Sequence, residues 1–187
     1  MSQSYEIDMC HGPLFGKIIR FSIPLMLSGI LQLLFNAADI IVVGRFVGST
    51  ALAAVGSTSS LINLLINLFI GFSVGANVLV ARFHGAGRDD EVNETVHTAI
   101  TLSIVSGIFL LILGVTVTRT LLIWMGSPDD VLDQSSLYLK IYFLAMPATL
   151  LYNFGSSILR AVGDTKRPLF YLVTAGVINV CFNLFFV

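Results

Sequence analysis

FSIPLMLSGILQLLFNAADIIVVG covers residues 21–44, and its reading decides the fold. The eighteen residues 21–38 carry no charge; Asp39 then appears, followed by four apolar residues and Gly44. A helix that crosses a bilayer needs about 20 mostly apolar residues. The stretch therefore reads as a membrane helix with one carboxylate toward its far end.

The rest of the chain agrees with that reading. Of 187 residues, 56% are hydrophobic and 11% charged, and the mean hydropathy is +0.90. A soluble domain carries about 25% charged residues. A larger core cannot absorb the difference, because a chain of this size is still mostly surface. Lipid must cover that surface, which makes this a polytopic membrane protein. The net charge of −1 points to no global electrostatic partner. There is no basic patch with interleaved aromatics, so nucleic acid is not expected as a partner.

Charges punctuate the chain. Uncharged stretches run over 21–38, 46–81, 95–118, 141–159 and 168–187. They predict five helical spans at about 18–44, 53–80, 96–118, 138–159 and 168–187, because lipid offers no water to satisfy an open backbone. The alternation of a membrane barrel is absent from these runs. With the N-terminus inside, the inner segments hold Lys17, Arg20, Arg82, Arg88, Arg160, Lys166 and Arg167. The outer segments hold Arg45, Arg119 and Lys140. This bias predicts a cytoplasmic N-terminal tail over 1–17 and an inner (cell) membrane location. The tail lacks the basic start of a signal peptide. Cys10 and Cys181 lie in a polar tail and an apolar run, so a disulfide between them is not expected. The last residues, CFNLFFV, are apolar to Val187, which reads as the N-terminal part of a longer protein.

Polar residues recur within the spans at helical spacing. Asn36 and Asp39 are three apart; Asn63 and Asn67, and Asn179 and Asn183, are four apart. Residues so spaced share a helix face. Asn77 and Asn153 add polarity to spans two and four. One explanation is interhelical hydrogen bonding, worth about 0.6–2 kcal/mol each; the other is a polar cavity toward which several spans point amides. Asp39 fits the second better, since a carboxylate at a membrane helix centre costs about 2.5–3.5 kcal/mol. Snorkelling to the interface, or pairing with Arg45, is the alternative. Burial disfavours the charged form of a carboxyl group, so such a residue can carry a proton between the two sides. It can equally offer oxygen ligands to Na⁺. Pro24 and Pro147 lie inside spans one and four, where each frees a carbonyl and permits a bend.

The remaining inventory suggests no enzyme. His11, His84 and His97 lack metal-ligand spacing. HGAGRDD (84–90) follows no strand and lacks a phosphate-loop lysine, so it reads as a tight loop. Asp129, Asp130 and Asp133 read as a solvated loop and helix start. GFSVG (71–75) has the small-residue spacing of a helix-packing face.

Three ordered motifs resemble those of the multidrug and toxic compound extrusion (MATE) transporters: PLMLSGILQLLFNAADIIVVGRFVGSTALAAVG (24–56), GANVLVARFHGAGRDDEV (75–92) and ILRAVGDTKRP (158–168). The resemblance runs from about residue 14 onward. It implies an all-α fold of twelve helices in two six-helix lobes, of which residues 18–187 supply five helices of the first lobe. It implies antiport of drugs or other amphiphilic organic compounds against H⁺ or Na⁺, with no other cofactor. The partners would be a small organic substrate, the lipid bilayer and a second, C-terminal half. In one branch of the family the first-helix Asp forms a cation site with an Asn on helix four and an Asn and Asp one turn apart on helix five. Asp39, Asn153 and Asn179 match that set, and Asn183 stands where the branch has its second Asp. Asn36 would line the same cluster. Asp39 would then be the cluster's only titratable group, with Asn183 still able to offer a carbonyl oxygen to Na⁺. A flippase for lipid-linked sugars from the same superfamily, or a non-transporting membrane fragment, are the rival readings.

Overall fold

The computed structural model describes residues 6–9, 12–47 and 49–186, and every regular element among them is helical. Helix α1 runs over Leu14–Val42 and continues into a π-helical turn at Val43–Val47. Then follow α2 (Ser49–Gly85), α3 (Asp89–Trp124), α4 (Asp129–Leu144), α5 (Met146–Ala161) and α6 (Lys166–Phe186). Three stretches are long and apolar enough to cross a membrane: Leu14–Phe46, Thr58–Gly85 and Asp89–Trp124. Their outward faces carry bare Phe15, Leu33, Leu64, Val105 and Phe109, a surface that only lipid or another apolar partner can cover.

The span expected as one helix over 138–159 is broken. Helix α4 ends at Leu144, and α5 begins two residues later, with Ala145 between them. Pro147 is the cause: it has no N–H for the carbonyl of Phe143, and its ring crowds that carbonyl. The Ala145 amide turns instead to the Tyr142 carbonyl at 3.1 Å, and helical bonding resumes with Thr149 N–H to Ala145 O at 3.0 Å. Each half is 16 residues long, shorter than a membrane-crossing helix. Pro24 acts differently. Helix α1 passes through it unbroken, and the Ser28 hydroxyl donates to the Pro24 carbonyl at 2.8 Å.

Three of the connections share one device. Gly87, Gly126 and Gly163 adopt positive φ of 68°, 73° and 88°. In each, the next amide reaches back five residues: Arg88 to Phe83 at 3.0 Å, Ser127 to Leu122 at 3.1 Å and Asp164 to Leu159 at 2.9 Å. This closure satisfies the last carbonyls of the helix. Acidic residues start the next element: Asp89, Asp90 and Glu91 in the first turn of α3, and Asp129 and Asp130 in that of α4. There they complement the helix dipole. Before α6, the fully buried Asp164 accepts the Lys166 and Arg167 amides on Oδ1, each at 3.1 Å.

Helices α2 to α5 pack as one group, with Ile62, Phe69, Leu110, Leu139 and Phe143 in its core. Helix α1 packs on α6, which meets the group mainly along α5. Within the group the glycines that permit close approach are on α3; in GFSVG it is Ser73, buried and accepting from the Ser157 hydroxyl, that meets a neighbour. A Cβ on Gly71 or Gly75 would meet open space. On Gly107 it would sit 2.5 Å from the Pro147 Cα, and on Gly114 it would overlap the Phe143 ring. Ser103, Gly107, Gly114 and Thr118 line one buried face of α3, the face against which the broken α4–α5 pair is seated.

Candidate functional site

Helix α1 presents Asp39 toward α6, and α6 presents two amides one turn apart. The Asn183 side-chain amide donates to Asp39 Oδ1 and also to Asn179 Oδ1 at 3.3 Å. Asp39 and Asn183 are half-buried, whereas Asn179 is exposed. The bond joins residues 144 positions apart in sequence, so it exists only because α1 and α6 pack together. Among the described residues the carboxylate makes no ion pair with Arg45, which lies exposed in the π-helical turn.

A glycine allows this approach. Gly176 lies on α6 one turn before Asn179, and Phe35 lies one turn before Asp39. A Cβ on Gly176 would overlap the Phe35 ring. Filling that space with Gly176→Leu should push the helices apart and separate the acid from its amide. In a chain with Cys10→Ser and Cys181→Ser, the pair Asp39→Cys and Asn183→Cys should be joined by a short bifunctional thiol crosslinker, since two side chains and a hydrogen bond already span the gap. Adding Gly176→Leu should slow that crosslinking several-fold, because the overlap with Phe35 forces the two helices apart.

The other expected members are not joined to the cluster. Asn36 is exposed and Asn153 half-buried, and neither hydrogen-bonds to Asp39 among the described residues. Asn67 bonds within its own helix, donating to the Asn63 carbonyl at 2.8 Å. Asn77 is an interhelical tie, donating to the Ser157 carbonyl at 2.5 Å. Pro24 and Pro147 flank the cluster at a distance along the chain; α1 continues through the first, and the second breaks its helix. One neighbour escaped the sequence reading: Tyr138 of α4 lies within electrostatic reach of the Asp39 carboxylate. Its only sequence signal was an aromatic residue at the start of an expected span, where tyrosines are common for interfacial reasons.

Chemically, the cluster offers one ionisable group and two amide oxygens. Asp39 can hold a proton, or its two oxygens and those of Asn179 and Asn183 can face a hard monovalent cation such as Na⁺. Asn183 presents N–H to the carboxylate. Binding a cation would require that amide to rotate and present its oxygen instead.

Comparison with known proteins identifies the family. The profile of the MatE family matches residues 24–185. The "Probable multidrug resistance protein YoeA" of Bacillus subtilis (strain 168) is 36% identical over 86% of this chain and 35% of its own length. The "Probable multidrug resistance protein YpnP" of the same organism is 28% identical over 92% of this chain and 39% of its own. A solved outward-facing multidrug resistance MATE family transporter superposes with a TM-score of 0.89 at 26% identity, covering 98% of this chain and 40% of that one. The chain thus spans between a third and two fifths of the length of these relatives. With a matched profile over most of its residues and the same arrangement of helices, this chain belongs to the MatE family of multidrug and toxic compound extrusion proteins.

Proposed function

We propose that this chain is the cation-coupling part of a secondary transporter that exports amphiphilic organic compounds against an inward flow of H⁺ or Na⁺. The observation that carries the proposal is the Asp39–Asn183 hydrogen bond, which makes the packing of α1 on α6 depend on the state of one carboxylate. When Asp39 is ionised and free of cation, the amide N–H of Asn183 holds it. When a proton or Na⁺ arrives, the carboxylate no longer needs that donor. The α1–α6 contact then loses a charge-assisted bond, of a kind worth roughly 1.5–3 kcal/mol. A change of that size shifts a two-state helix arrangement by about tenfold or more. Pro24 leaves the Arg20 carbonyl without its helical N–H donor, which gives α1 a place to respond.

The protein sits in the cell membrane with its N-terminus in the cytoplasm, following the distribution of Lys and Arg. The organic substrate occupies a cleft completed by a second lobe, in keeping with relatives more than twice as long as the matched segment. The test is export of a fluorescent organic cation from everted membrane vesicles by a complete transporter carrying this lobe. Export should require an imposed H⁺ or Na⁺ gradient, and export that continues after both gradients are collapsed would reject the proposal.

A further inference from the structure

A second feature lies well away from Asp39, at the α2–α3 turn. A groove of about 400 Å³ opens between these helices. Its deep end is apolar: Phe72, Leu79 and Leu102 are exposed along it, and Ala99 and Phe154 form a buried floor. Its shallow end is charged. Glu91 and Glu94 line it there, in the first two turns of α3. Arg88 stands at the same end, its guanidinium 5.2 Å from the centre of the Phe83 ring, which is itself a groove residue. Arg88 Nε donates to Glu91 at 2.8 Å. Glu94 is exposed and makes no hydrogen bond or ion pair among the described residues.

The polarity of the groove follows that of the bilayer. Both helices are of membrane-crossing length, so the apolar end lies at acyl-chain depth and the charged end among headgroups. The charges are of both signs, with one carboxylate unspent. An anionic lipid would meet Glu91 and Glu94 and be repelled. A headgroup ending in a quaternary ammonium could approach Glu94 but could not donate to it. A primary ammonium does both, and charge-assisted donors of this kind are the stronger ones.

We propose that this groove binds an aminophospholipid of the leaflet that meets the α2–α3 turn. Its primary ammonium donates to Glu94, its phosphate faces Arg88, and an acyl chain lies along Phe72, Leu79 and Leu102.

The test uses the 187-residue chain itself. It is reconstituted in bilayers with equal parts of phosphatidylethanolamine, phosphatidylcholine and phosphatidylglycerol, extracted in mild detergent, and its retained lipids are weighed by mass spectrometry. The wild-type chain should retain phosphatidylethanolamine in excess over the other two. Glu94→Gln, a change at an exposed position, should lower that excess about three- to tenfold, the range of one charge-assisted bond at a partly wet rim. Ala76→Trp, which fills the groove, should reduce the retained lipid of every class. Retention at the bulk ratio by the wild type, enrichment of phosphatidylglycerol, or an excess untouched by Glu94→Gln would overturn the proposal. So would displacement of no lipid by Ala76→Trp in a chain that elutes and unfolds like the wild type. If tetraphenylphosphonium binds in a Glu94-dependent way while phosphatidylethanolamine shows no excess, the groove belongs to organic cations and the lipid assignment fails.

Discussion

Asp39→Asn is expected to reduce cation-driven export to the level of cells lacking the transporter, while the variant still inserts into the membrane in normal amount. The substitution keeps size and shape, and an amide at 39 can still bond Asn183. What it removes is the one group in the cluster that can gain and lose charge. An amide neither takes up a proton at physiological pH nor offers Na⁺ a formal negative charge. Insertion should improve slightly, because a carboxylate near the membrane core costs about 2.5–3.5 kcal/mol at a helix centre and less toward the ends. Drug susceptibility of cells, set beside the amount of protein in the membrane, separates lost coupling from lost folding. Undiminished resistance in the variant would remove Asp39 from the mechanism.

The second large effect concerns stability. Gly114→Ala should destabilise the chain by about 3 kcal/mol, at the upper end of the usual range for overpacking. The added methyl would overlap the inner atoms of Phe143, and Phe143 is fully buried, so its ring has nowhere to retreat. Gly75→Ala, by contrast, would meet open space and, in the interior of α2, should stabilise by up to about 1 kcal/mol through helix propensity. Thermal unfolding of the two variants in the same detergent makes the comparison. For a chain of this size the first should lower the midpoint by about 6–12 °C. Equal midpoints would mean that α3 does not pack on α4 through Gly114.

These two residues also show what could be read from the chain alone. Asp39 stood out because an apolar run makes any charge conspicuous, and Asn179 and Asn183 stood out because their spacing repeats a helical turn. Their meeting needed only that α1 and α6 pack, which the family resemblance implied. The tight loops were legible for a similar reason: a glycine followed closely by acidic residues carries its own local explanation. Gly114 was not legible. The chain has 16 glycines, and only the partner helix decides which of them must lack a side chain. In GFSVG the two glycines face open space, and it is Ser73 between them that packs, buried and accepting from the Ser157 hydroxyl. The proline-induced break at Ala145 lay between these cases: Pro147 announced a bend, but not that a single expected span would become two 16-residue helices. Asn36 shared the spacing of the cluster and Asn153 entered it through the family resemblance, yet among the described residues neither side chain bonds to Asp39. A helix face is defined by sequence, whereas the neighbour it meets is not.

The most direct measurement is infrared difference spectroscopy of the carboxyl groups in the purified chain, with and without Na⁺ and across a pH range, in the wild type and in Asp39→Asn. A carboxyl band that changes on adding Na⁺ or acid, and that is missing from Asp39→Asn, is the predicted result. A spectrum in which every cation-dependent band survives in Asp39→Asn would contradict the account.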